Sequence, residues 1–316
     1  MRRICVAVIL AFLAVSVADA QIFCWNLENY FDAKDDSLTA DEAFTPGGEH
    51  HWTRRKYEAK RNLIARTIIA SAECFEGDLP AIVGLCEVEN GAVLRSLLED
   101  TPLAKFRYRS IHRESPDPRG IDVALLYDPE RVQLLSSDFI SIKEFATREI
   151  LYAKVALLRD TLHIYINHWP SKYSGSRASE AKRQAVCDAL LAHLDSLQAV
   201  EPEAKVVAMG DFNDTPEAAP IVRLCERSGL ENLSKNISGT IKFKGKWETI
   251  DQMLASPAAA AKIGTVDAYK PDFLLEEDKA FMGRKPRRTN VGPRYNGGAS
   301  DHLPIVANIS AWHLHP

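Results

Sequence analysis

The chain has 316 residues, of which 46% are hydrophobic and 26% charged, with a formal net charge of −4. That length accommodates one large α/β domain, and the balance of apolar to charged residues excludes a disordered chain. A mildly acidic protein does not grip nucleic acid through bulk charge, although a local basic patch remains compatible with it.

Residues 1–20 read as a secretory signal. Arg2 and Arg3 form the basic start, residues 4–17 the apolar centre, and Ala18-Asp19-Ala20 the small-residue cleavage site. The apolar part is too short for a membrane span. Gln21 rather than a cysteine follows the cleavage point, which disfavours a lipid anchor. The expectation is an exported bacterial protein, secreted or periplasmic, with one mature domain over 21–316 and no transmembrane segment. Cys24, Cys74, Cys86, Cys187 and Cys225 remain after cleavage, and none has C-x-x-C spacing. Neither a zinc knuckle nor a disulfide framework is indicated, and Cys24, Cys86 and Cys225 read as small core residues.

A strand over 21–25 opens the mature chain and runs into Asn26-Leu27-Glu28-Asn29. After a polar loop, Thr53 is placed to cap a helix reaching about Ala70, with Tyr57, Leu63, Ile64, Thr67 and Ile68 on one face. Residues 81–86 form a second buried strand that ends in Glu87-Val88-Glu89-Asn90, and Asn90 is placed to cap a helix over 91–98. Strand-like segments follow at 106–111, 122–127, 131–135 and 152–158. An alternating strand over 161–167 stops at His168. A long helix over about 176–197 turns Ala181, Ala185, Cys187, Leu190, Leu191 and Leu194 inward. Four apolar residues, 206–209, then run into Gly210-Asp211-Phe212-Asn213-Asp214, which reads as a buried strand ended by glycine. A helix over about 216–228 comes next, and Ser300-Asp301-His302 leads into a last strand over 303–309. The two halves echo each other weakly. Each has strand, helix and a strand ending in an acid, which suggests two α/β halves packed sheet on sheet with helices outside.

Five strand ends thus carry polar side chains: Asn26 with Glu28, Glu87, His168, Asp211 with Asn213, and Asp301 with His302. Asp251 adds an acid after Ile250. Singly, each is an ordinary cap or surface charge. Their recurrence at the ends of apolar runs points to a shared site, since open α/β sheets place ligands at strand C-termini. Carboxylates and amides without a cysteine suit a hard cation such as Mg²⁺, Mn²⁺ or Ca²⁺ better than zinc.

Trp25-Asn-Leu-Glu-Asn29, Cys86-Glu-Val-Glu-Asn90, Asn167-His-Trp-Pro-Ser-Lys172, Gly210-Asp-Phe-Asn-Asp214 and Ser300-Asp-His-Leu-Pro304 resemble the motifs of the endonuclease/exonuclease/phosphatase superfamily. Their order and spacing match across essentially the whole mature chain. The resemblance implies a four-layer α/β sandwich, two packed mixed β-sheets flanked by helices, and metal-dependent cleavage of a phosphoester by water. It implies that Glu87 binds the metal (Mg²⁺ foremost), supported by Asn26, Glu28 and Asp301. It further implies that Asp211 and Asn213 orient water and phosphate, and that His302 contacts the scissile phosphate. Asp251 would hold His302 in one tautomer, His168 would protonate the leaving oxygen, and Arg148 would lie near the phosphate.

The run from Asn167 to Lys172, followed by Gly175 and Arg177, looks most like secreted bacterial nucleases of this group. An extracellular endonuclease acting on DNA or RNA is therefore expected, as a monomer without a stable protein partner. The alternative is an exported phosphatase or phosphodiesterase on small-molecule or lipid phosphates. Two basic stretches bear on substrate. Residues 283–289 form a loop placed to attract phosphate, against the alternative of a solvated loop. Residues 50–56 mix aromatic and basic side chains, read equally as a grip on single strands or as a helix start.

Overall fold

In the computed structural model, residues 19–172 and 176–310 are described. The signal expected over 1–20 therefore lies, but for its last two residues, outside the described residues, as does Gly175, and Arg177 is described in backbone only.

The first half of the chain runs β1 (Ala20–Tyr30), α1 (Arg54–Ala70), β2 (Ile82–Val88), α2 (Gly91–Glu99), β3 (Arg109–His112) and β4 (Asp122–Tyr127). There follow β5 (Val132–Ile140), β6 (Ile150–Leu157), β7 (Asp160–His168), α3 (Ser176–Val200), β8 (Val206–Asp211) and α4 (Ala219–Ser228). Then come β9 (Glu231–Asn232), a hairpin of β10 (Ile241–Phe243) and β11 (Lys246–Glu248), β12 (Asp251–Ala255) and the short α5 (Pro257–Ala260). The last part holds β13 (Asp267–Ala268), β14 (Leu275–Glu277) paired with β15 (Arg284–Pro286), β16 (Asn290–Val291) paired with β17 (Arg294–Tyr295), and β18 (Ile305–Ile309). The helix caps expected from sequence form. Thr53 Oγ1 accepts from Lys56 N at 3.4 Å, and Asn90 Oδ1 accepts from Ala92 N at 2.8 Å and Val93 N at 3.0 Å. The strand expected over 106–111 is displaced. Pro102 opens a 3-10 turn that extends to Phe106, and the strand starts only at Arg109; proline suits a first helical position and not a ladder.

Two six-stranded mixed sheets form, ordered β13-β18-β1-β2-β4-β3 and β5-β6-β7-β8-β12-β9. Strand alternation sorts the side chains into layers. From β1, Ile22 and Cys24 enter the core between the sheets, while Phe23, Trp25 and Leu27 face the layer of α1 and α2. From β7, Leu162, Ile164 and Ile166 enter the same central core, and Tyr165 packs with Cys187, Leu190, Leu191 and Leu194 of α3. The result is helix, sheet, sheet, helix: the four-layer α/β sandwich. Gly84 permits the close approach of the sheets, because a Cβ there would lie 2.8 Å from Ile166 Cδ1.

Register places the ends. β1 and β2 are parallel, as are β7 and β8, so all four finish at one edge. Asp251 starts β12 opposite Asp211, and β18 runs antiparallel to β1, which brings His302 to the same edge.

Candidate active site

The edge is built from side chains that ordinary strand geometry would not aim together. Glu28, Asn29, Glu87 and Asn213 all have positive φ, at 48°, 59°, 61° and 52°. Glu87 is the extra residue between the pairs Cys86–Val123 and Val88–Asp122, and β1 shifts register between Asn26 and Tyr30. Bulges of this kind re-aim a side chain at the end of a strand, and left-handed backbone at non-glycine residues stores strain that the surrounding contacts must hold. Gly210 has φ 139°, and a Cβ there would fall 1.9 Å from Asn167 O. No other residue fits that step before Asp211 without displacing β7.

Asn26 Nδ2 donates to Asp211 Oδ2 at 2.9 Å and lies 3.4 Å from Glu87 Oε1, so one amide ties the two sheets' acids together. Asn29 N donates to Glu87 Oε2 at 2.6 Å. Asn213 directs its amide at Trp169 O (2.8 Å) and Asp211 Oδ2 (3.2 Å), while its backbone N–H binds Asp211 Oδ1 at 2.8 Å. His302 Nδ1 meets Asp251 Oδ2 at 2.8 Å, and its Nε2 faces Asp211 Oδ2 at 3.9 Å and Asp301 Oδ1 at 3.8 Å. Trp25 Nε1 holds the His302 carbonyl at 2.9 Å, and Ser300 Oγ links His302 N to Asn26 O. Asp251 N and Ile250 N both donate to Thr240 Oγ1.

Burial acts on each charge here. It works to lower the His302 pKa, but Asp251 and Asp211 outweigh it and hold the imidazole well above its ordinary value. Burial raises Asp211 to about 7, with Asp251 adding to it and His302 opposing.

His168 lies 3.7 Å from both Glu87 Oε1 and Asp211 Oδ2. Arg148 Nη2 is 3.2 Å from His168 Nε2, and Arg148 also binds His168 O, Trp169 O and Asp117. A guanidinium has no acceptor, so His168 Nε2 accepts. Burial first, then Arg148, push the His168 pKa well below its ordinary value. With Nε2 accepting from Arg148, His168 has no proton on that nitrogen to give, which differs from the proton-donor role expected for it. Arg148 is 7% exposed and fully engaged, so it shapes the wall of the site.

Glu28 is placed differently from its neighbours. Its oxygens accept from Arg288 Nε (2.8 Å) and Thr289 N (2.7 Å), and buried Lys60 reaches its carbonyl at 2.5 Å and Thr289 Oγ1 at 2.6 Å. Arg288 also pairs with Asp301 Oδ2 at 2.9 Å. Burial lifts the Glu28 carboxyl to about 7 and lowers Lys60 to about 8. No pattern in the sequence marks Lys60, which sits on the buried face of α1, or Arg119, which reaches Asn29 Oδ1 at 2.6 Å from a turn without periodicity.

A cation has candidate ligands here. Among the described residues, Glu87 Oε1 has only the long Asn26 contact and distant His168, and Asp301 Oδ1 only His302 at 3.8 Å. Asp211, Asp251 and His302 also each offer an atom within 4.8 Å of the others. In that trio, however, the 2.8 Å bond between His302 and Asp251 already occupies one donor from each. Oxygen donors without a thiolate fit a hard cation.

The cations of the basic loop over 283–289 have partners close by, although Arg284, Arg287 and Arg288 remain exposed. Arg284 pairs with Asp272, Lys285 lies 3.6 Å from Glu276, Arg287 binds Asn296 O, and Arg288 pairs with Glu28 and Asp301. Residues 50–56 form a helix start, with Trp52 fully buried and Lys56 bound to His50 O. The five cysteines at positions 24, 74, 86, 187 and 225 are free; Cys24, Cys86 and Cys187 are buried and Cys225 is half-buried.

Residues 21–311 match the model of a family described as endonuclease/exonuclease/phosphatase. No curated protein matches the sequence. Among solved structures, a functionally unknown conserved protein from Enterococcus faecalis V583 superposes with a TM-score of 0.59 at 14% identity, covering 92% of this chain and 100% of that one. The human Nocturnin catalytic domain gives 0.58 at 16% identity, covering 92% and 94%. D. rerio TDP2 complexed with a single-strand DNA product gives 0.55 at 17% identity, covering 92% and 99%. These likenesses are of fold. No helix among the described residues is long and apolar enough to cross a membrane.

Proposed function

Because the chain belongs to the endonuclease/exonuclease/phosphatase family, we propose that it is a divalent-metal-dependent phosphodiesterase that cleaves DNA or RNA by attack of water. The observation that carries this reading is the convergence on one edge of the Asp251–His302 pair and the Asp211–Asn26–Glu87 bridge.

Asp251 fixes the Nδ1 side of His302, so that Nε2 faces the space beside Asp211 where a phosphate would lie. His302 carries the proton that the leaving oxygen needs, and Asp211, held by Asn26 and Asn213, accepts the proton of the attacking water. Glu87 and Asp301 would hold the cation, with Asn26 keeping Glu87 in place and Glu28 anchoring Arg288 beside Asp301. A divalent cation bound there, Mg²⁺ foremost, supplies neutralisation of phosphate charge and stabilisation of the leaving oxyanion. Burial and then Arg148 disfavour a charged His168 against Glu87 and Asp211, and the pair closes the site behind the phosphate.

Residues 1–20 act in this reading as a removed export signal, and 21–316 as the catalytic domain of a secreted or periplasmic enzyme. The test incubates purified mature protein, with Mg²⁺ or with EDTA, on plasmid DNA, structured RNA, phosphomonoesters and lipid phosphates. Metal-dependent cleavage of a polymer that disappears in His302→Ala supports the proposal. Phosphate release from monoesters or lipids with polymers left intact overturns it in favour of a phosphatase.

A further inference from the structure

We infer that the cleft between α2 and the edge strand β3 binds the phosphate backbone of single-stranded nucleic acid, away from the scissile bond. The inference rests on the nucleic-acid reading of the active site.

The cleft has a volume of 790 Å³ and is lined by residues of α2, the turn after it and β3, among them Arg95, Arg107, Arg109 and His112. The three arginines are exposed, and no ion pair engages them among the described residues. Glu99 is the one acid in the lining. This contrasts with the loop over 283–289, whose Arg284, Lys285 and Arg288 are paired with acids. On a chain of net charge −4, free arginines around one cleft make a local positive field, and the guanidinium fork matches phosphate geometry.

One further feature favours a single strand. Between Lys105 and Arg107, Phe106 is 41% exposed beside the cleft, open to stacking by a base.

Register measures the path to the active site. Arg109 lies beside Tyr127 and Ile82, and Val88, next to Glu87, lies beside Asp122. Six residues of strand span about 20 Å, the length of about six stacked nucleotides. A strand whose scissile phosphate sits at Glu87 can therefore follow the flank of α2 past Arg95 to Arg107 and Arg109.

The test uses His302→Ala protein, so that binding is read without cleavage. Fluorescence anisotropy of a labelled single-stranded oligonucleotide is followed through a salt titration for this protein and for the same protein carrying R95Q, R107N and R109Q. Arg107 has φ 54°, which asparagine tolerates. The expected result is a dissociation constant raised about 10-fold and a salt slope reduced by about 2, the loss of three single-strand phosphate contacts. F106A is expected to weaken binding while leaving the slope unchanged. With His302 intact, the arginine substitutions leave turnover of bis(p-nitrophenyl) phosphate unchanged. Equal affinity and equal slope overturn the inference, as does arginine-dependent binding to phosphatidylserine vesicles without arginine-dependent binding to the oligonucleotide. Arginine-dependent binding by a protein that cleaves no nucleic acid supports the cleft and removes the nuclease reading instead.

Discussion

His302 and Asp251 come from opposite sheets and meet at 2.8 Å because antiparallel strands start where parallel ones end. His302→Ala is expected to lower kcat by about 10²- to 10⁴-fold, the usual contribution of a placed acid or base. Asp251→Asn retains the shape but withdraws the charge that supports the imidazolium. Its kcat should fall by about 10²-fold or more, with KM nearly unchanged, in steady-state assays on an oligonucleotide. Gly210→Ala tests the backbone beside Asp211. A methyl group 1.9 Å from Asn167 O cannot be accommodated, so the denaturant midpoint should drop by the equivalent of about 3 kcal/mol or more. Glu87, His168 and Asp211 stood out in the sequence because each ends an apolar run, and Asp251, Asp301 and His302 because each precedes one. Lys60 and Arg119 did not, because a lysine on a helix face and an arginine in a turn acquire meaning only from what packs over them.

At the scale of elements, the local chemistry of caps and turns sets boundaries. Asn90→Ala removes two accepted hydrogen bonds at the start of α2 and should cost about 1 kcal/mol in equilibrium unfolding. Beneath α3, His163 is fully buried with Nδ1 at 2.9 Å from Tyr152 Oη, and burial lowers its pKa although Glu201 opposes this. A histidine with a lowered folded pKa binds fewer protons folded than unfolded, so stability rises with pH through the window below 6.5 and is lost as acid enters it. Thermal melts of His163→Phe should therefore show a flatter dependence on pH in that window than the parent protein. The strand expected over 106–111 failed at this scale. Its apolar and aromatic residues fit a strand, but Pro102 started a turn that carried Phe106 to the surface.

Across the whole molecule, metal binding should couple to stability. Mg²⁺ in excess is expected to raise the Tm of the protein, as any ligand of the native state does, and EDTA should reverse the rise. Glu87→Gln should abolish the metal-dependent shift in differential scanning fluorimetry while leaving the metal-free Tm within a few degrees. The sequence by itself determined where the strands and helices fall and which residues are candidates for the site. Continuous apolar runs read as strands buried on both faces, helices with one apolar stripe as the layers that cover them, and polar residues at strand ends as candidates for a shared edge. The tertiary structure alone decided how those groups are used. Only the packing of the basic loop against β1 engaged Glu28 with Arg288, only burial beside Arg148 made His168 Nε2 an acceptor, and only the packing of α2 beside β3 gathered Arg95, Arg107 and Arg109 around one cleft. A charge's partner depends on distances between segments far apart in sequence, and no local pattern of residues encodes those distances.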